Sequence, residues 1–326
     1  MLAELLTQVA VVIVVLLVGF VPLCIGRHRF RRTRREWRDR MRESAPVAGV
    51  VLVVLLANRF TRQHLPDLSW AIDWNLTPTF YAIEGEAIVW FQQFASPPVT
   101  RYFSFVYIYG YVFILIFPVI AYFALSDTRP LRELLSAYAL NYLLGLFLYL
   151  LVIAYGPRNI MPTEIGTVLY DFRPQYQYLT GEVNHNTNVF PSLHTSLSAT
   201  IAIFAYRTRE EYPIWFAVAV PLAASIAIST MYLGIHWAID VVAGILLATF
   251  TVYAADRLVG RWSLSEDFGL EVDEYAARLR RLTGTNAPVD PSPSAEDDEY
   301  GDADDGADVE SPSNDEPPTG RRSEET

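Results

Sequence analysis

Leu2 to Ile25 is a run of 24 residues with one charge, Glu4. As a helix at 1.5 Å per residue it reaches farther than the roughly 30 Å hydrocarbon core of a bilayer. A segment like this limits the fold sharply. In lipid every backbone N–H and C=O has to be paired inside the protein, which leaves helices or closed barrels. Six further apolar stretches follow, near residues 45–57, 102–125, 134–155, 190–206, 214–233 and 237–259. The pattern predicts an all-α integral membrane protein: six helices over residues 45–262 behind one extra N-terminal transmembrane helix, with residues 1–44 holding that anchor and a basic segment. The 45–57 stretch is short and needs tilt or flanking residues to cross.

Charge placement gives an orientation. Arg27, Arg29, Arg31, Arg32, Arg34, Arg35, Arg38, Arg40 and Arg42 follow the first apolar run. Clusters of this kind stay in the cytoplasm, so the N-terminus is expected outside. A secretory signal carries its basic residues before the apolar run, so this one reads as an anchor. Arg129 and Arg132, Arg207 and Arg209, and Arg257 and Arg261 fall on the same side, leaving loops 58–101 and 156–189 outside. The first outer loop holds Trp70, Trp74, Phe80, Tyr81, Trp90 and Phe91, suited to head-group depth. The expected location is a multi-pass position in the cell membrane with the C-terminal tail in the cytoplasm.

The net charge of −11 belongs to that tail: from Leu264 onward the balance is −14, against +3 for the rest. Residues 285–326 are too poor in apolar side chains to offset the entropy of ordering, and are expected to be disordered. Before them, within 263–284, Leu270–Leu282 fits a short amphipathic surface helix. No lysine occurs among the 25 basic residues, which removes a retinal Schiff base from consideration. Cys24 is the sole cysteine, so neither an intrachain disulfide nor a cysteine metal site can form. The bilayer, rather than nucleic acid, is the expected partner, and no cofactor is expected.

Two short stretches place imidazoles at helix mouths, where an ionisable group needs water, a partner or a substrate. In Phe190-Pro191-Ser192-Leu193-His194, Pro191 and Ser192 suit a helix start. The first-turn amides and the positive end of the helix dipole there favour an anion such as phosphate, with His194 at the same mouth. The other reading is a capped helix with an interfacial histidine. In the second stretch His236 and Asp240 are four apart and share a helix face. A carboxylate on one ring nitrogen fixes the tautomer and leaves the other nitrogen nucleophilic; the alternative is a polar pair joining two helices. The topology puts both histidines on the outer side. Two such imidazoles suit phosphoryl transfer, one attacking phosphorus and one protonating the departing oxygen. His64 and His185 fall in outer loops and His28 in the basic segment, where solvated roles are expected.

Pro191-Ser192-Leu193-His194 and Ser229-Thr230-x5-His236-x3-Asp240 resemble the second and third motifs of the type 2 phosphatidic acid phosphatase superfamily. The likeness runs over about residues 45–259, and the form Phe-Pro-Ser-Leu-His with Tyr-Leu-x-x-His-x-x-x-Asp is nearer the inositol phosphorylceramide synthase branch. The resemblance implies His236 as a nucleophile forming a phosphohistidine, Asp240 as its orienting carboxylate and His194 as general acid and base. It implies a metal-independent lipid phosphatase or head-group phosphotransferase acting on a phospholipid or isoprenoid phosphate. The chain departs from the family in two places: it lacks the lysine of the first motif and has Thr230 where the third motif carries an arginine. Arg158, just after the fourth apolar stretch, is the first candidate for the phosphate clamp, Arg173 the second, with Ser192 beside them. A non-enzymatic transporter and a catalytically degenerate lipid-binding member of the family stay open as other readings.

Overall fold

The computed structural model describes residues 2–64, 66–178 and 189–261. They lie in one compact unit. His185, the amphipathic stretch at 270–282 and the acidic tail lie outside the described residues, as does the side chain of His64.

The described residues are helical throughout, joined by turns and one isolated backbone bridge between Asn75 and Ile153. Helix α1 (Leu2–His64) contains the first two expected spans and is broken once, at Gly26 (φ 71°, ψ 160°). The basic segment is therefore helical and continuous with the second span. Short helices α2 (Pro66–Ile72) and α3 (Thr77–Glu84) follow, then a 3₁₀ stretch over Gly85–Phe94. Helix α4 (Pro97–Phe123) includes a π-helical turn at Val106–Gly110 and starts five residues before the expected 102. Helix α5 (Arg129–Leu151) precedes two small helices, α6 (Pro157–Ile160) and α7 (Val168–Phe172). The last three are α8 (Leu193–Arg207), α9 (Pro213–Tyr232) and α10 (Ala238–Arg261). Pro118 and Pro221 sit inside helices that run on past them.

Among the described residues, five helices are long and apolar enough to cross a membrane: Leu2–Thr61, Pro97–Phe123, Arg129–Leu151, Pro213–Tyr232 and Ala238–Val259. This is an integral membrane protein with the expected all-α fold. The difference from seven spans has two causes. Two spans share α1 across Gly26, and α8, with 15 residues, is shorter than a bilayer requires. α8 is the central helix: it packs on α5, α9 and α10, and no residue from 193 to 205 is exposed. Its Ser and Thr side chains thus face protein rather than lipid. The main apolar core lies between α1, α4, α5, α8 and α9, where the rings of Phe20, Phe113, Phe117 and Trp215 pack together.

A polar cluster joins α5, α8 and α10 inside this core. Asn141 Nδ2 donates to Thr251 Oγ1 at 2.8 Å and Thr200 Oγ1 at 3.2 Å, and its Oδ1 accepts from Ser196 Oγ. All four side chains are fully buried. Between helices in lipid such bonds supply adhesion that apolar contact alone does not, at about 1 kcal/mol each. Asn141→Leu is expected to lower stability by roughly 2 kcal/mol, read as a lower unfolding midpoint in detergent; an unchanged midpoint would show that the cluster adds nothing.

The arginine-bearing loops gather at one end. Arg29 pairs with Glu211 at 2.8 Å, Arg32 donates to Ser126, and buried Arg40 donates to the carbonyls of Phe123 and Leu125. Glu133 receives Arg129 at 2.5 Å and Arg207 at 3.7 Å, while Arg129 also reaches Asp256. The starts of α8 and α10, with His194 and Asp240, lie at the other end of those two helices. Trp70, Trp74, Tyr81 and Trp90 in the segment after α1 are exposed, as a head-group belt requires, whereas Phe80 is buried.

Candidate active site

The site is assembled from the starts of α8 and α10 and from the turns that approach them. Ser192 caps α8: its Oγ accepts from the Thr195 amide at 3.3 Å, and its own amide donates to the Asp240 carbonyl at 3.1 Å. The second bond ties the mouth of α8 to the first turn of α10. The approach depends on Gly244, where a Cβ would lie 2.6 Å from the Ser192 carbonyl oxygen. Any side chain there would push the two helices apart.

His236 stands in the turn between α9 and α10, 3% exposed. Its amide and that of Ile235 both donate to the Thr230 carbonyl, and Thr230 Oγ1 is turned back to the Ala227 carbonyl. The position where the family motif has arginine is therefore fully buried and spent on shaping this turn. The ring Nδ1 lies 3.3 Å from Asp240 Oδ2, which also accepts the Trp237 amide at 2.9 Å. Trp237 is itself fixed by an indole hydrogen bond to the Tyr155 carbonyl at 2.8 Å. Asp240 is fully buried, and its Oδ1 has no hydrogen-bond partner among the described residues.

His194, half-buried in the first turn of α8, stacks on Tyr107 at 4.7 Å and lies against Tyr111 at 4.3 Å between ring centroids. Its ring centroid is 6.3 Å from that of His236. The two rings are near enough to approach one phosphoryl group from two sides.

Arg158, on α6, reaches the same place through backbone contact: its amide donates to the Gly234 carbonyl at 3.0 Å. A Cβ on Gly156 would lie 2.2 Å from the Ile235 carbonyl oxygen, so only glycine lets the 156–158 turn lie this close to the His236 turn. One guanidinium nitrogen, Nη2, donates to Tyr170 Oη at 3.0 Å; Nη1 is buried with no hydrogen-bond partner among the described residues. The Arg158 charge is felt at His236. Arg173 is exposed, in the turn that carries Tyr176, and His28 is exposed in the basic segment.

Burial pushes the His236 pKa down to about 3, helped by the nearby Arg158 charge and opposed by a hydrogen bond with the Val189 backbone. The sign favours the neutral ring: protonation becomes harder in the fold, so the ring stays uncharged down to a pH of about 3. In ¹⁵N-histidine spectra His236 is expected to remain neutral at pH 5; a cationic ring at that pH would contradict this account.

Three further residues hold the site without having been legible as site residues. Glu84, at the end of α3, accepts the amides of Ala238 and Ile239 at 2.8 and 2.6 Å. Gln92 bonds both backbone groups of Gly166 and the Tyr232 carbonyl. Thr100 Oγ1 meets Tyr232 Oη at 2.6 Å. Their partners lie 74 to 155 positions away, and no local pattern marks such pairings.

The family model of the PAP2 superfamily matches residues 82–254, a span that includes Glu84, Arg158, Ser192, His194, His236 and Asp240. An uncharacterized protein of Methanocaldococcus jannaschii is 28% identical over 149 residues, which is 45% of this chain and 57% of that protein. The chain thus spans a little over half the length of the curated relative it matches. No solved structure matches. With the family match covering more than half of the sequence and both histidine segments, this membrane protein belongs to the PAP2 superfamily.

Proposed function

We propose that the protein is a lipid phosphatase or phosphotransferase working through a phosphohistidine on His236. The observation that carries this reading is the pair of imidazoles 6.3 Å apart, one of them held by a buried carboxylate. The ring nitrogen of His236 that faces away from Asp240 attacks phosphorus, forming an N–P bond. The ester P–O bond breaks, and the departing oxygen takes a proton from His194. Asp240 keeps the proton on Nδ1 and balances the positive charge that the ring acquires. In the second half His194, now neutral, removes a proton from the incoming hydroxyl. That oxygen attacks phosphorus and the N–P bond breaks. Arg158, with its unpartnered Nη1, and the first-turn amides of α8 supply positive potential for the phosphoryl oxygens. Ser192 contributes through the helix start, because its hydroxyl is engaged as the cap. Arg173, exposed on its turn, is assigned to the lipid head group rather than to the phosphoryl oxygens.

The site end is assigned to the extracytoplasmic face, since the opposite end carries the arginine clusters that remain inside. Transfer to a lipid hydroxyl, as in the inositol phosphorylceramide synthase branch, is supported by Thr230 in place of the arginine; hydrolysis needs only water as the acceptor. The purified protein is to be incubated with a panel of phospholipids and isoprenoid phosphates labelled at phosphorus, with and without lipid alcohols. Released phosphate identifies a phosphatase and a new labelled lipid a transferase. Failure to turn over any member of the panel would overturn the enzymatic reading in favour of a lipid-binding one.

A further inference from the structure

The two helix starts at the site are treated differently. That of α8 is capped by a neutral hydroxyl, and that of α10 is filled by a carboxylate. Glu84 Oε2 accepts the Ala238 amide at 2.8 Å and Oε1 the Ile239 amide at 2.6 Å, so one side chain from α3 satisfies the first two amides of α10. These contacts lie immediately beyond His236 and Trp237 in the chain.

A helix start holds roughly half a positive charge, concentrated on the amides of its first turn. Left open, the start of α10 would act on His236 in two ways. It would offer phosphate a second anion site on the wrong side of the nucleophile. It would also oppose the positive charge that the ring gains when its nitrogen bonds phosphorus. We propose that Glu84 is a positioning residue for His236: it locks the first turn of α10, and with it Asp240, and it cancels the positive end of that helix beside the ring. The phosphate is thereby directed to the α8 start and Arg158. This rests on the assignment of His236 as the nucleophile. Asp240 Oδ2 receives His236 and the Trp237 amide, while the next two amides, of Ala238 and Ile239, go to Glu84.

The test compares wild type, Glu84→Gln, Glu84→Asp and His236→Ala in detergent micelles, with dioctanoyl phosphatidic acid and p-nitrophenyl phosphate as probes. Glu84→Gln keeps the size but loses the charge; kcat is expected to fall about tenfold with KM within about twofold. Glu84→Asp keeps the charge and is expected to retain most of kcat. Hydrogen exchange supplies a readout that does not depend on turnover: the Ala238 and Ile239 amides, slow in wild type, should exchange faster in Glu84→Gln. Equal losses in the Gln and Asp variants, or slow exchange preserved without the carboxylate, would overturn the proposal. Turnover retained by His236→Ala would instead overturn the assignment on which it rests.

Discussion

His236→Ala is expected to reduce turnover of every lipid substrate by about four orders of magnitude or more, because removing a covalent nucleophile removes the pathway rather than one contact to it. The fold should survive. The ring lies in a turn between two helices, and that turn is shaped by backbone hydrogen bonds to Thr230 that the substitution leaves in place. A labelled phosphoryl group offers the sharpest readout. Wild type quenched during turnover should carry acid-labile, base-stable label on the protein, as an N–P bond requires, and the variant should carry none. Label in the variant would place the nucleophile elsewhere.

His194→Ala should reveal its role through the leaving group. A lipid alkoxide is a poor leaving group without a proton, so loss of general acid catalysis should cost about 10²–10⁴-fold on lipid substrates. A nitrophenolate departs without help. With p-nitrophenyl phosphate the variant should therefore release about one nitrophenol per protein in a rapid burst. It should then turn over slowly, because hydrolysis of the phosphohistidine also needs His194, as base. Losses of the same size on both substrates, with no burst, would mean that His194 serves structure and not proton transfer. Its tight stacking on Tyr107 makes that control necessary.

The parts of the site that could be read from sequence are those whose partners lie close in the chain. The spacing of His236 and Asp240 predicts one helix face; His236 instead lies in the turn two residues before α10, and Asp240 in the first turn of that helix reaches back to its ring at 3.3 Å, a contact that their short separation in the chain still allows. Ser192 read as a cap because caps are local, and it is one. Arg158 could be placed only in a loop; the glycine contact that seats it beside the His236 turn is between residues 79 positions apart and leaves no periodic trace. Glu84 was hidden more completely. It sits in a segment whose aromatic residues read as an interfacial belt, and its two amide partners are on α10. The helix count had a different cause. Hydropathy marks the segments that meet lipid, but it does not show that the basic segment continues the helix of the second span. Nor does it show that the α8 segment, with its Ser and Thr residues, has no exposed side chain from Leu193 to Ala205.

That enclosure of α8 has a mechanical consequence. When a bilayer is thinner or thicker than a spanning helix prefers, the strain falls on helices in contact with acyl chains, which tilt or bend to adapt. α8 has no exposed residue from 193 to 205 and is fastened to α5 and α10 through Ser196, Thr200, Asn141 and Thr251. The helix that carries His194 is thus insulated from membrane thickness, as a bearing is by its housing. Changes of lipid chain length should then alter how substrate reaches the site more than the geometry that acts on it.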